Sequence, residues 1–244
     1  IYKSNTIMGV AYGNIASSII SKSYAQSAQS FTFVSTSDAR TKPSIIPNIA
    51  SMLARFNKSV ILIDTDFNEP AKLMNFINIQ PSNKQDIIDI INEVNKTVRL
   101  QGNIEDHYLD LLINQAIIPV NVCNNESLEC NFSYLCSNKK IENIHDYVTS
   151  KGFKLIVERL KSRYEFILMD TPAKPYVYPD ISLISSISDS VILISAMQTN
   201  RQKLIKIINK LIKQNVNILG IVSREENSEI EKYFESEYLK EETV

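Results

Sequence analysis

Three aspartates stand where two apolar runs stop. SVILIDTD (59–66) ends in Asp64 and Asp66, and EFILMDTP (165–172) carries Asp170. Runs this continuous in Val, Ile, Leu and Phe read as strands covered on both faces of a parallel sheet. Such strands deliver their last side chains to the carboxyl edge, where open α/β sheets bind ligands. Carboxylates on two of them, beside a phosphate loop, hold Mg²⁺ and its waters against a triphosphate. A single aspartate there also serves to cap the next helix or turn. Three, on two strands that both reach the order hydrophobic, hydrophobic, Asp, Thr, favour the site.

The phosphate side is written differently. STSDARTKPSIIPNIA (35–50) follows the apolar run FTFVS (31–35) and precedes a helical pattern, which is where a phosphate loop belongs. Lys42 stands near the right place, but the stretch has no glycine. The chain has only five glycines, at positions 9, 13, 102, 152 and 220, where average usage of about 7% predicts roughly 17. A phosphate loop turns successive backbone N–H groups inward, which takes positive φ, and lets phosphates approach without meeting a Cβ. A β-branched residue such as Thr41 at positive φ is a steric outlier.

The elements that position these residues follow from periodicity. Two further buried runs, DSVILISAM (189–197) and VNILGIVS (216–223), join the three above, and FSYLCS (132–137) is a weaker sixth. Between them stand helical patterns: PNIASMLARF, PAKLMNFINI, FKLIVERLKSRY and RQKLIKIINKLIKQ. The last places Leu204, Ile207, Ile208, Leu211 and Ile212 on one face. Strands alternating with helices predict an α/β, doubly wound, mostly parallel sheet with helices on both faces. One domain over 1–244 is expected, with an N-terminal helical segment (1–28), a polar covering insertion (78–131) and an acidic, tyrosine-bearing tail (225–244).

Bulk properties agree. A chain of 244 residues with 44% hydrophobic and 22% charged residues is of ordinary globular composition, and its net charge of −1 argues against nucleic acid as a partner. No apolar run approaches the roughly 18–20 residues that span a bilayer. Cys123, Cys130 and Cys136 have neither disulfide-framework nor zinc spacing, and read as free thiols. The sequence opens on Ile1 rather than Met, which is compatible with a segment removed upstream.

In their order, these motifs resemble the bacterial tyrosine kinase (BY-kinase) family of capsule and exopolysaccharide synthesis, a branch of the MinD/ParA-like P-loop ATPases. LIDTDFNEP is similar to that family's second Walker motif, and FILMDTPA to its Walker B. The resemblance runs from about residue 7 to residue 224. It implies that Lys42, with Arg40, Thr41 and Ser44, faces the phosphates of Mg-ATP or Mg-ADP. It further implies that Asp64 and Asp170 place Mg²⁺, that Asp66 orients the acceptor, and that Arg224 stands at the adenine-contacting position. The family's loop resembles S-x-x-P-G-E-G-K-S-T. Here Ala39 and Thr41 stand at its two glycines, Pro43 replaces the hydroxyl residue after the lysine, and Ser44 is one place late. Pro43 also lacks the N–H that would bond a phosphate. With Pro47 a turn further on, regular helix is expected to start later than in an active enzyme.

Other departures point the same way. Asn68 replaces an arginine of the second Walker motif, and Val10, Gly13 and Ala16 replace the charged residues of the family's oligomerisation helix. A ring-type homo-oligomer is therefore not expected. The resemblance implies a degenerate kinase domain, a pseudokinase that regulates or scaffolds surface-polysaccharide synthesis, with no cofactor bound. Its partners would be a membrane chain-length regulator and an intact kinase paralogue, and its place the cytoplasmic face of the membrane. The alternatives are an active ATP-dependent tyrosine autokinase and a MinD/ParA-like positioning protein. In the absence of Mg²⁺, either Lys42 with Arg40 pairs with the three aspartates or solvent takes them up. Tyr233 and Tyr238, in the acidic tail, are the candidate phosphorylation sites.

Overall fold

The computed structural model describes residues 6–36, 42–67, 72–77, 79, 86–121, 131–141, 143–171, 183–185, 187–196 and 200–224. In chain order these form α1 (Ile7–Gln26), β1 (Ser30–Ser35), α2 (Lys42–Arg55), β2 (Val60–Asp64), α3 (Lys72–Phe76), α4 (Ile87–Gln101) and α5 (Asp106–Ala116). Next come β3 (Ile118–Asn121), β4 (Asn131–Leu135), α6 (Ile144–Val148), α7 (Lys151–Lys161), β5 (Phe166–Asp170), β6 (Ser190–Ala196), α8 (Arg201–Lys213) and β7 (Ile218–Arg224). All six expected strands are present, and the helical patterns between them fold as helices.

The strands make one sheet of seven in the order β3-β4-β2-β5-β1-β6-β7. Every pairing is parallel except β3 with β4. The central strands are buried along their whole length, which is why they read as continuous apolar runs. Because side chains alternate across a strand, the sheet has two cores. Phe31, Phe33, Leu62, Phe166 and Leu168 meet α1 and α2 on one face, with the Phe31 and Phe166 rings stacked 6.0 Å apart. Ile61, Ile63, Ile167 and Met169 meet α4, α5 and α7 on the other. A smaller cluster seats α8 on Val34, Val191 and Leu193.

Two expectations need correction. Regular helix does not wait for Pro47: α2 begins at Lys42 with Pro47 inside it. Pro47 is the sixth helical residue, so it gives up the bond its N–H would make to the Pro43 carbonyl, and the Asn48 side chain donates to the Ser44 carbonyl at 2.6 Å across the same stretch. The stretch read as a polar covering insertion, residues 78–131, carries regular elements. It carries the 15-residue α4, the 11-residue α5 and strand β3. The polarity misleads because α4 is amphipathic, burying Ile87, Ile88, Ile90, Ile91 and Val94 against the sheet. Gly152 lets α7 close on α4: a Cβ there would lie 2.9 Å from the Ile91 carbonyl oxygen, and its N–H donates to Asn95 Oδ1 at 2.8 Å.

Scarce glycine leaves a mark on the turns. Four described residues have positive φ, and three are not glycine: Ser27 (φ 53), Asn57 (φ 56) and Asn215 (φ 56) follow helices α1, α2 and α8. Asparagine tolerates the left-handed region better than most side chains because it can bond its own neighbourhood. The fourth is Gly102, after α4.

Candidate functional site

Asp64 closes β2 and Asp170 closes β5, and the two are register partners across a parallel pair. By the period of two, Asp64 continues the face of Val60 and Leu62, and Asp170 that of Phe166 and Leu168, the face covered by α1 and α2. Neighbouring strands lie about 4.8 Å apart, so the carboxylates stand side by side. All three expected aspartates are buried: Asp64 is 2%, Asp170 6% and Asp66 9% exposed.

Local bonds hold this edge. The Asp66 N–H donates to Asp64 Oδ1 at 3.0 Å, fixing the turn after β2. The Thr65 N–H donates to the Asp170 carbonyl at 3.1 Å, and its hydroxyl bonds the same oxygen. Thr171 donates from Oγ1 to the Phe33 carbonyl at 2.7 Å, and the Thr36 N–H donates to the Ile194 carbonyl at 2.8 Å. These threonines extend the parallel ladder one residue past the strands, which accounts for the Asp-Thr order in both.

The structure adds a residue that the sequence reading did not single out. Tyr134, buried on β4 opposite Leu62, donates from its hydroxyl to Asp64 Oδ2 at 3.2 Å. Its signal was the weak run FSYLCS, in which a tyrosine shares the inward parity of Phe132. Burial, then the nearby Asp64 carboxyl, pushes the phenol far above its usual range, so it remains a donor. Burial and then the neighbouring Asp170 carboxylate push Asp64 well above the ordinary carboxylate range, while the Asp66 N–H pulls the other way. The Cys136 thiol, free and buried beyond Tyr134, is pushed up to about 12 by burial and then by Asp64. It is therefore a neutral packing group.

The phosphate side is only partly described. Arg40 and Thr41 lie outside the described residues, as do the side chains of Lys42 and Pro43, and with them the expectation that Lys42 pairs with the aspartates. Among the described residues, a phenol and a backbone N–H bond Asp64. Ser44 is half-buried in the first turn of α2. Arg224 ends β7 opposite Ala196, at the carboxyl end of the sheet, and its side chain is outside the described residues. Asn68, Tyr233, Tyr238, Cys123 and Cys130 are outside them too.

The acidic half suits a hydrated divalent cation, which asks for one or two carboxylates and supplies its remaining ligands as water. Asp64 and Asp170 provide that pair. Among the described residues no group of three or more His, Cys, Asp or Glu side chains forms a metal cage.

Solved structures share this fold. The chimerical protein CapA2B2 superposes with a TM-score of 0.67 at 19% identity, covering 91% of this chain and 86% of that one. The kinase domain of the Escherichia coli tyrosine kinase ETK gives 0.64 at 15% identity, over 86% and 74%. The septum site-determining protein MinD from Pyrococcus horikoshii OT3, complexed with Mg-ADP, gives 0.54 at 17% identity, over 79% and 68%. The chain thus has the doubly wound, mostly parallel fold of BY-kinase domains and MinD-like P-loop ATPases. No protein-family model matches the sequence, and no curated protein matches it. Among the described residues no helix is long and apolar enough to cross a membrane.

Proposed function

We propose that this chain is a BY-kinase-like domain that has kept the acidic half of a nucleotide site and lost the phosphate half. It acts as a regulatory or scaffolding pseudokinase in capsular or exopolysaccharide synthesis, at the cytoplasmic face of the membrane. The observation that carries the reading is the contrast between turn chemistry and loop chemistry in one chain. After three helices, left-handed turns are made without glycine by Ser27, Asn57 and Asn215, residue types suited to the task. The stretch around Lys42 has Ala39, Thr41 and Pro43 instead, none of which suits an inward-turned nest of N–H groups. Pro43, in the first turn of α2, is favourable to the helix and unfavourable to a phosphate for the same reason, its missing N–H.

Asp64 and Asp170, and Asp66 beside them, are vestigial catalytic residues on this reading. The domain works through protein contacts: a membrane polysaccharide chain-length regulator and an intact kinase paralogue, the latter phosphorylating Tyr233 or Tyr238. A second reading, an active tyrosine autokinase, is favoured by the surviving carboxylates. There Asp64 and Asp170 would hold Mg²⁺, and Lys42, Ser44, Thr41, Arg40 and Arg224 the nucleotide.

Calorimetric titration of the chain with ADP and ATP, each with Mg²⁺, separates the two. The pseudokinase gives no binding heat at millimolar nucleotide. Micromolar binding that disappears in Lys42→Met overturns it and makes the autokinase the better account.

A further inference from the structure

Charge is distributed along this chain in blocks. Residues 190–224 contain six basic residues and no acidic one, a charge of +6 within a chain whose net charge is −1. The next twenty residues, 225–244, contain eight glutamates and two lysines, a charge of −6, which leaves −1 for residues 1–189. Helix α8 carries five of the six cations: Arg201, Lys203, Lys206, Lys210 and Lys213. All five are exposed.

The outer side of α8 is not only basic. Ile207 and Leu211 are buried against Val34, Val191, Leu193 and Val216. Ile205 (43% exposed) and Ile212 (56% exposed) face outward instead, two turns apart on one line. Lys206, Lys210 and Lys213, at i, i+4 and i+7, form a second line beside it. None of β1, β6 and β7, the strands in the cluster that seats the helix, contains an acidic residue.

We infer that this face of α8 is the docking surface of the acidic segment 225–244 of the same chain. Three observations select that occupant. Its charge is equal and opposite to that of the stretch bearing the helix. It leaves from the right place: Arg224 pairs with Ala196 at the carboxyl end of the sheet, and α8 begins at that end, five residues after Ala196. It also has matching apolar residues, since Ile230, Tyr233 and Phe234 follow the i, i+3, i+4 spacing of a helix face and Tyr238 lies a turn beyond Phe234. The thirteen residues of α8 span about 20 Å, less than the roughly 30 Å that twenty residues cover even as a helix. Tethering at Arg224 presents the segment to the face at an effective concentration on the order of millimolar. A phosphate on Tyr233 or Tyr238 adds negative charge, opposite in sign to this basic face. The inference does not depend on whether nucleotide binds.

The test uses the full chain. Zero-length carbodiimide cross-linking of a mixture of ¹⁴N- and ¹⁵N-labelled protein is expected to join Lys206, Lys210 or Lys213 to glutamates of 225–244 within single-label pairs. In the triple variant Lys206→Glu, Lys210→Glu, Lys213→Glu these links disappear, and amide exchange in 225–244 speeds up by about tenfold. Adding Glu229→Lys, Glu235→Lys and Glu237→Lys to the triple variant restores the slower exchange, which damage to α8 would not allow. The inference is overturned by an absence of such links with unchanged exchange. Links found in mixed-label pairs about as often as in single-label pairs overturn it too, because the occupant is then a second copy. So does protection of α8 by phosphatidylserine but not phosphatidylcholine vesicles while 225–244 exchanges freely, because the occupant is then a membrane.

Discussion

Asp189 and Asp64 lie at opposite edges of one sheet, the first just before β6 at the amino edge and the second at the carboxyl end of β2. Asp189 accepts from the Gln29 and Ser30 N–H groups and the Ser30 hydroxyl, each at 2.9 Å, and from Lys161 Nζ at 2.8 Å. Burial works against its charge, yet the Lys161 ammonium and the three other donors outweigh it and hold the carboxyl below its usual range. Asp64 accepts from a phenol and one N–H, stands beside Asp170, and is held above its usual range. The amino-edge carboxylate is a staple between strand starts and α7. The carboxyl-edge one, beside a like charge and with fewer described donors, is the less favourable environment for a charge.

The same substitution should therefore act with opposite sign at the two edges. Asp189→Asn turns an amide N–H₂ or a neutral oxygen toward Lys161 and removes the ion pair, lowering stability by about 2 to 3 kcal/mol in urea unfolding at pH 7. That loss shrinks with acid. The folded pKa of Asp189 is depressed, so its contribution is present above the unfolded carboxylate value and is lost as pH falls through the folded one. The two proteins converge once the pH has fallen below the folded pKa.

Asp64→Asn keeps an oxygen for the Asp66 N–H and a polar partner for Tyr134 while removing a buried like charge. It should raise stability by about 1 to 2 kcal/mol at pH 8. The folded pKa of Asp64 is raised, so in the parent protein its protonated form favours folding below the unfolded pKa. That advantage is lost as pH rises through the folded pKa. The gain from Asp64→Asn therefore grows with pH over this window, and a constant gain would show that neither burial nor Asp170 raises the folded pKa.

Tyr134→Phe gives the smallest effect. Losing one hydroxyl donor to Asp64 should cost about 0.5 to 1 kcal/mol, more at pH 8 than at pH 5, because an ionised acceptor makes the stronger bond. Equal cost at both values would reduce Tyr134 to a packing residue.

The five strong strands and the two Asp-Thr strand ends were legible because burial on both faces writes itself into consecutive residues. Helices α7 and α8 were legible through their 3.6-residue stripes. Strand β3 was not: Ile118–Asn121 is four residues long, contains Pro119, and pairs antiparallel at the edge, a place where proline is tolerated but no local pattern announces a strand. Helix α4 was underestimated because half of its surface is polar.

By itself, then, the sequence determined which segments are buried strands, that carboxylates end two of them, that the stretch around Lys42 lacks glycine, and that charge is blocked at +6 and −6 along residues 190–244. These are local properties, set by side chains within a few positions of each other. Only the tertiary structure decided that β2 and β5 are neighbours, so that Asp64 faces Asp170 in register, and that β4 brings Tyr134 to the same carboxylate from 70 residues away. Strand order arises from pairings between distant segments, and no local periodicity records which strand a given strand will adjoin.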